Sequence, residues 1–156
     1  MYFQMEKNDF CIYELETHLT KDVTDSHTNG ELTVIWRNWD NIINTPEMVY
    51  VNSINPREIK GPHIHKNRTS YFYCLEGKII IVIRDKNKIY HNVELDEKNQ
   101  KLLSISNGIP AAILNPTSKI SKLLVLADVA WKPNDNEMKN VLFDDYDLGK
   151  LVNTTN

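Results

Sequence analysis

The chain has 156 residues, of which 41% are hydrophobic and 25% are charged, as expected for one globular domain with its own core. Its 18 basic and 21 acidic side chains give a formal net charge of −3, and the absence of a basic cluster argues against nucleic acid as a partner. The longest uninterrupted apolar stretch, Ile79–Ile83, is far shorter than the roughly 20 residues of a membrane-spanning helix, so we expect no membrane partner.

The two ends of the chain are not expected to contribute to the fold. Residues 1–4 resemble the remnant of a protease-cleavable tag, which makes Met5 the expected natural start. The basic and apolar regions of a signal peptide are absent from residues 1–10, so we expect a cytoplasmic protein. We therefore predict one domain over residues 5–149 and a tail that frays over residues 150–156.

Short runs rich in β-branched and aromatic residues follow one another along the chain. They predict about eight strands, in chain order at 32–37, 48–54, 70–75, 79–84, 89–95, 102–105, 111–114 and 123–128. Turn-forming residues separate several of them, as at Gly77, Gly108 and Pro116. No window has helical periodicity beyond two turns, which excludes βαβ units. The pattern is typical of an all-β domain, an antiparallel sandwich or barrel with an enclosed pocket.

After the last predicted strand, residues 132–148 form an acidic segment rich in turn residues. We expect this segment to wrap the outside of the domain or to close the mouth of the pocket. Trp131 lies just before it, near the expected mouth, where its ring could stack on a nucleotide base or cap the barrel.

Two histidines separated by one residue are the most informative pattern in the chain. Side chains of an extended segment alternate between its faces, so His63 and His65 would share one face and one cavity. The same alternation predicts that Ser70, Phe72 and Cys74 face the interior from the following strand.

The histidine pattern and its flanking glycines resemble the cupin superfamily. The first cupin motif places a glutamate and a hairpin glycine after His-x-His, and the second places a histidine between a glycine and an asparagine. Here Gly77, Gly108 and Asn115 fall at the matching positions, with Ser70 in place of the glutamate and Ala111 in place of the histidine. A divalent metal held by imidazole and carboxylate groups needs three or more protein ligands, so we predict no metal and no other cofactor.

Over residues 25–148 the chain resembles cupins that act without metal on nucleotide-linked 4-keto sugars. The segment Lys60-Gly61-Pro62-His63 is similar to the Arg-Gly-x-His motif of the dTDP-4-dehydrorhamnose 3,5-epimerases, and His65-Lys66 extends it as in the sugar 3,4-ketoisomerases. The resemblance implies a jelly-roll homodimer with His63 as the catalytic base and Lys60 on the nucleotide phosphates. A second group, His65 or Tyr50, would return the proton.

The remaining predicted substrate-binding residues are Arg57, Ser70, Asn115 and Trp131. Arg57 is included because it stands close to the histidine motif. In the 3,5-epimerases a lysine stabilises the enolate, and the matching position here is Ser70. The tyrosine that acts as the proton donor in those enzymes corresponds to a position near Val125. The aspartate that partners the base in that family has no obvious match in the sequence.

These features lead to the hypothesis of a metal-independent epimerase or isomerase in surface-polysaccharide biosynthesis. It would take a proton from a carbon next to the ketone of a nucleoside-diphosphate 4-keto-6-deoxy sugar, a task suited to histidine near neutral pH. Two alternatives remain, a non-catalytic sugar-binding or metabolite-binding cupin and a metal-dependent cupin enzyme. The expected partners are the nucleotide sugar and a second copy of the chain, because residues 10–19 have little apolar patterning and an exposed sheet edge invites pairing.

Overall fold

Two antiparallel five-stranded sheets and a separate hairpin make up the computed structural model, which describes residues 9–41 and 45–153. The strands are β1 (Phe10–Glu14), β2 (Thr17–Lys21), β3 (Thr28–Thr33), β4 (Met48–Ile54), β5 (Ile59–His65), β6 (Ser70–Glu76), β7 (Lys78–Arg84), β8 (Tyr90–Asp96), β9 (Lys101–Ile105), β10 (Ala111–Leu114), β11 (Ser121–Ala127) and β12 (Met138–Asn140), followed by helix α1 (Gly149–Val152). One sheet has the order β1-β9-β6-β11-β4 and the other β12-β5-β10-β7-β8, while β2 and β3 form the hairpin.

The pairing of the central strands is that of a long hairpin folded over on itself. Strands β7 and β8 pair at its tip, and β6 with β9, β5 with β10 and β4 with β11 pair successively further from it. Successive pairs alternate between the two sheets, which is the jelly-roll arrangement. The predicted all-β, antiparallel fold is confirmed.

The main core lies between the sheets and follows the two-residue period of the strands. On β7, Ile79, Ile81 and Ile83 are fully buried within it. The predicted inward face of β6 is also confirmed, since Phe72 and Cys74 belong to this core and Ser70 is buried. The alternate residues of β7 and β10 pack against a second cluster beneath the C-terminal segment, which includes Val82, Leu114, Phe143 and Val152.

Four strands, β1, β2, β5 and β12, lie outside the eight predicted runs, and β3 lies earlier than predicted. Residues 10–19 have little apolar patterning, but β1 pairs with β9 at the sheet edge and Phe10 packs against the main core. Residues of β2 and β12 are exposed throughout, so neither strand has the apolar alternation that marks a strand in a sequence.

The C-terminal tail also differs from the prediction. Fraying was expected from Lys150, whereas α1 continues to Val152, whose side chain is only 4% exposed. The tail is ordered there because Val152 buries its apolar surface in the second cluster. The predicted tag remnant, residues 1–4, and the last three residues of the tail lie outside the described residues. No helix in the described part of the chain has the length and apolarity needed to cross a bilayer.

Candidate active site

A cavity of about 50 Å³ lies between the two sheets. Its lining combines two imidazoles, a guanidinium and two hydroxyl groups with apolar side chains: His63, His65, Arg68, Ser70, Phe72, Ile105, Ser106, Ile109, Ala111 and Ile113. A single water needs roughly 10–15 Å³ of such space, so this partly open cavity has room for several water-sized groups, comparable to part of a sugar ring.

β5 carries both histidines into this cavity, as the two-residue alternation predicts. The strand is also irregular, because its register with β10 shifts between the pairs Ala111–His63 and Ile113–Lys60. Ala111 and Ile113 both line the cavity, so the shift brings Lys60 and His63 to the same side although they are three residues apart. Gly61 makes the shift possible with a φ of +87°, a conformation that favours glycine.

His63 is oriented by an amide from the C-terminal segment. β12 pairs with β5 so that Asn140 lies opposite His63, and Oδ1 of Asn140 is 2.9 Å from Nδ1 of His63. Because the amide oxygen accepts this hydrogen bond, Nδ1 carries the proton and Nε2 keeps its lone pair. The group that orients the expected base is therefore an asparagine 77 residues further along the chain.

His65 faces a buried carboxylate from the same segment. Its Nδ1 lies 3.3 Å from Oε1 of Glu137, which is only 4% exposed and also accepts hydrogen bonds from the backbone N–H groups of Asn67 and Arg68. Burial lowers the pKa of His65, the positive charge of Arg68 lowers it further, and Glu137 opposes both effects. His65 is therefore neutral at pH 7.

Arg68 is the cavity residue that the sequence analysis missed. It lies between β5 and β6 and is only 6% exposed, and its Nε donates to the carbonyl oxygen of Val129 at 3.0 Å. Within the described residues, its Nη2 has no hydrogen-bond partner. In the sequence Arg68 follows Lys66 in a short polar loop, the usual pattern of solvated side chains, so no local signal identifies it.

Tyr50 contacts Arg68 from β4 instead of lining the cavity itself. Burial raises the pKa of its phenol, and the charge and hydrogen bond of Arg68 oppose that rise. The phenol therefore remains protonated at neutral pH beside the guanidinium.

The other predicted substrate-binding residues have different surroundings. Ser70 lines the cavity, whereas Lys60 lies outside its lining and donates from Nζ to Oδ1 of Asn52 at 2.6 Å. Trp131 follows β11 and is 63% exposed.

Arg57 and Asn115 hold the backbone together away from the cavity lining. Arg57 donates to the carbonyl oxygens of Pro116 and Val152, which ties α1 to the loop after β10. Asn115 is fully buried, and its side-chain nitrogen donates to the carbonyl oxygens of Ile54 and Lys119. Both side chains therefore have structural partners where the sequence predicted substrate contacts.

The donor set at the cavity does not fit a divalent metal. Ser70 and Ala111, at the two remaining cupin ligand positions, line the cavity but offer neither an imidazole nor a carboxylate. The guanidinium of Arg68 faces the same space and would repel a cation. Among the described residues, three ligand-type side chains converge only at Asp22, Asp25 and His27, after β2.

Comparison with known proteins gives a family match and solved structures with the same fold. A family model described as FdtA: WxcM-like, C-terminal matches residues 10–145. No curated protein matches the sequence.

Three solved structures share the fold. The 3,4-ketoisomerase QdtA from Thermoanaerobacterium thermosaccharolyticum, a histidine-to-asparagine mutant in complex with TDP-4-keto-6-deoxyglucose, has 18% identity and a TM-score of 0.67, covering 89% of this chain and 88% of its own. A dTDP sugar isomerase from Desulfovibrio desulfuricans G20 has 15% identity and a TM-score of 0.71, and the match covers 94% of this chain and 89% of the isomerase. The 3'-monoepimerase ChmJ from Streptomyces bikiniensis, in complex with dTDP-quinovose, has 16% identity and a TM-score of 0.69, and the match covers 85% of this chain and 69% of ChmJ.

Proposed function

The chain belongs to the FdtA family of WxcM-like C-terminal domains, and from this premise we propose that it is a metal-independent isomerase or epimerase of a nucleoside-diphosphate 4-keto-6-deoxy sugar. The observation that carries the proposal is the placement of His63, whose Nδ1 is held by Asn140 while its ring lines the cavity between the sheets. A neutral imidazole with a free Nε2 is a suitable general base near pH 7. The ligands named for QdtA and ChmJ are sugars of this nucleotide-linked class.

The reaction would begin with Nε2 of His63 removing a proton from the carbon next to the ketone. The electrons of the broken C–H bond form a carbon–carbon double bond, and the carbonyl electrons move to the oxygen, which gives an enolate. Return of a proton to the opposite face of that carbon gives an epimer, whereas rearrangement through the enediol moves the ketone. Tyr50, a protonated phenol beside Arg68, is one candidate proton donor. His65 on the cavity wall is the other, and it would first have to take up a proton because it is neutral at pH 7.

Asn140 sets the orientation of His63 in the cavity. The amide oxygen accepts the Nδ1 hydrogen and fixes the ring. Nε2 is then the nitrogen that can accept a proton from the sugar.

The nucleotide would lie outside the enclosed space. Lys60 is exposed on β5, the strand that carries both histidines, and a diphosphate could replace its contact with Asn52. Trp131 offers an exposed ring on which a base could stack. We propose this division because the cavity volume of about 50 Å³ accommodates only part of the sugar.

We also propose a cytoplasmic homodimer, acting in surface-polysaccharide biosynthesis. Val49 and Val51 are 56% and 54% exposed on the outer face of β4, and Leu75 is 44% exposed on the same sheet. An apolar face of this kind is typical of a surface that a partner covers. Light scattering should give twice the 18.2 kDa mass of one chain, and a monomer at micromolar concentration would contradict this part of the proposal.

Deuterium incorporation in D₂O, followed by NMR, tests the enzymatic proposal directly. A panel of dTDP- and GDP-linked 4-keto-6-deoxy sugars is incubated with the protein, and exchange at C3 or C5 reports enolisation. His63→Asn should abolish exchange while leaving nucleotide-sugar binding nearly unchanged. Binding of a sugar without exchange at any carbon would instead identify a non-catalytic sugar-binding cupin.

A further inference from the structure

We propose that Arg68 is a catalytic residue whose guanidinium donates a hydrogen bond to the carbonyl oxygen of the bound sugar and stabilises the enolate formed there. This inference rests on the function proposed above. It gives Arg68, in the loop between β5 and β6, the enolate-stabilising role that a lysine has in related epimerases. Ser70, which stands where related epimerases have that lysine, lines the cavity together with Arg68.

The first argument is the burial of an unpaired cation. Arg68 is only 6% exposed, and buried arginines are normally paired with a carboxylate. Among the described residues no carboxylate forms an ion pair with it; the nearby Glu137 accepts two backbone N–H groups and faces His65. The guanidinium therefore has no ion-pair partner among the described residues. The neighbouring carboxylates act on it only at longer range, since Glu137 accepts the backbone N–H of Arg68, and the pKa of Asp135 is lowered by backbone hydrogen bonds and, to a smaller extent, by the charge of Arg68.

The second argument is the number of unused donors. A guanidinium has five N–H groups; Arg68 donates from Nε to the carbonyl oxygen of Val129 and also hydrogen-bonds the phenol of Tyr50. Its Nη2 is buried and has no partner within the described residues. Native proteins rarely leave such a donor unsatisfied, and those that do frequently use it for ligand binding or catalysis.

The third argument is that the Arg68 side chain is held in place at the cavity that His63 also lines. Glu137 fixes the backbone N–H of Arg68 at 3.0 Å, Val129 fixes Nε at 3.0 Å, and Tyr50 contacts the guanidinium. His63 lines the same cavity, so a sugar carbon beside His63 would place its adjacent carbonyl within the same small space as Arg68. A donor fixed before the reaction stabilises a developing charge most effectively.

The proton and electron movements balance without another reactant. His63 takes the proton, the C–H electrons form the carbon–carbon double bond, and the carbonyl electrons collect on the oxygen that accepts the N–H of Arg68. When a proton returns to carbon, the oxygen regains its double bond and Arg68 keeps all its hydrogens. Arg68 therefore lowers the energy of the enolate and is unchanged after each turnover.

The test compares Arg68→Met and Arg68→Lys with the control Arg84→Met in the deuterium-exchange assay. Arg84 lies on the outer side, over the ring of Phe143 and hydrogen-bonded to the carbonyl oxygen of Leu142, so its replacement removes the same charge away from the cavity. Loss of one oxyanion donor typically costs 10²–10³-fold in rate. We expect a loss of this order in kcat for Arg68→Met, a smaller change in KM, and a partial recovery in Arg68→Lys.

A second arm separates catalysis from folding. In Arg68→Ala, added methylguanidinium should restore part of the exchange rate, which it would not do if Arg68 only supported the loop. If Arg68→Met fails to fold, Arg68→Lys decides the question, and an unchanged kcat with a raised KM in that variant would overturn the inference.

The outcomes also distinguish this inference from the proposed function. Exchange by the unaltered protein together with full exchange by Arg68→Met would refute the role of Arg68 and leave the function in place. No exchange by the unaltered protein on any sugar of the panel would overturn both. An equal loss in Arg84→Met would assign the effect to net charge, and the role of Arg68 would again be rejected.

Discussion

Gly61→Ala is the substitution that most directly tests how β5 positions its first histidine. Gly61 has a φ of +87°, and a Cβ built there would lie 2.9 Å from the backbone nitrogen of His63 and 3.1 Å from the carbonyl oxygen of Ala111. Gly108 is a matched control, because its φ is +80° and an added Cβ would meet nothing within 4 Å. The two variants share the backbone strain and differ in the steric contact.

The expected magnitudes follow from this difference. Placing alanine in the left-handed region costs about 1–2 kcal/mol, and this is the whole loss expected for Gly108→Ala. Gly61→Ala should lose about 1–3 kcal/mol more, since a clash with backbone atoms forces the strand to shift. A shift of about 1 Å in His63 would lower the exchange rate by about 100-fold.

Urea unfolding and the deuterium-exchange assay measure the two effects separately. Gly108→Ala should lose stability and keep its exchange rate, whereas Gly61→Ala should lose both. Equal stability losses in the two variants would refute the steric argument. Normal exchange by a folded Gly61→Ala protein would show that the close approach of Gly61 to His63 does not set the position of the base.

Three further predictions concern the pH dependence, the thiols and the C-terminal helix. Burial and Arg68 keep the pKa of His65 in the folded protein below its ordinary value of about 6.5. As the pH falls below about 6.5, the unfolded chain therefore binds more protons at His65 than the folded protein does, and the free energy of unfolding decreases. In urea titrations, the free energy of unfolding should fall less for His65→Gln than for the unaltered protein between about pH 6.5 and pH 5. An equal fall in both proteins would contradict this prediction. Burial raises the pKa of Cys74 to about 11, so Ellman's reagent should label Cys11 in the native protein and Cys74 only after unfolding; native labelling of Cys74 would count against its burial. Val152→Asp should lower the free energy of unfolding by about 2 kcal/mol or more, because it buries a carboxylate, while Leu142→Asp, at a side chain that is 77% exposed, should change it little; similar effects would show that α1 is not packed.

Much of the fold could be predicted because its strands are marked by local pattern. β4 and β10 begin and end where the sequence predicts, and β7 differs by one residue at its start. Side-chain alternation also predicts that Ser70 and Phe72 face the interior, and in the structure both line the cavity together with the two histidines. These inferences hold because strand period and turn chemistry act over a few residues.

The strands that were missed lack such a local signal. β12 consists of three exposed residues, and its position depends on pairing with β5, more than 70 residues earlier in the chain. β1 is ordered by the ladder that it forms with β9. Backbone pairing of this kind is independent of side-chain identity, so propensity and alternation do not reveal it.

By itself the sequence determined the β architecture, the shared face of His63 and His65, and the resemblance to sugar-modifying cupins. Only the tertiary structure assigned Asn140 to His63, Glu137 to His65, and the cavity wall to Arg68. These contacts join segments about 70 residues apart, and they form only after the C-terminal segment has packed beside β5. Side-chain chemistry at the cavity therefore depends on how distant segments meet in the folded chain, as do the edge strands β1 and β12, whereas most of the other strands are marked by neighbouring residues in the sequence.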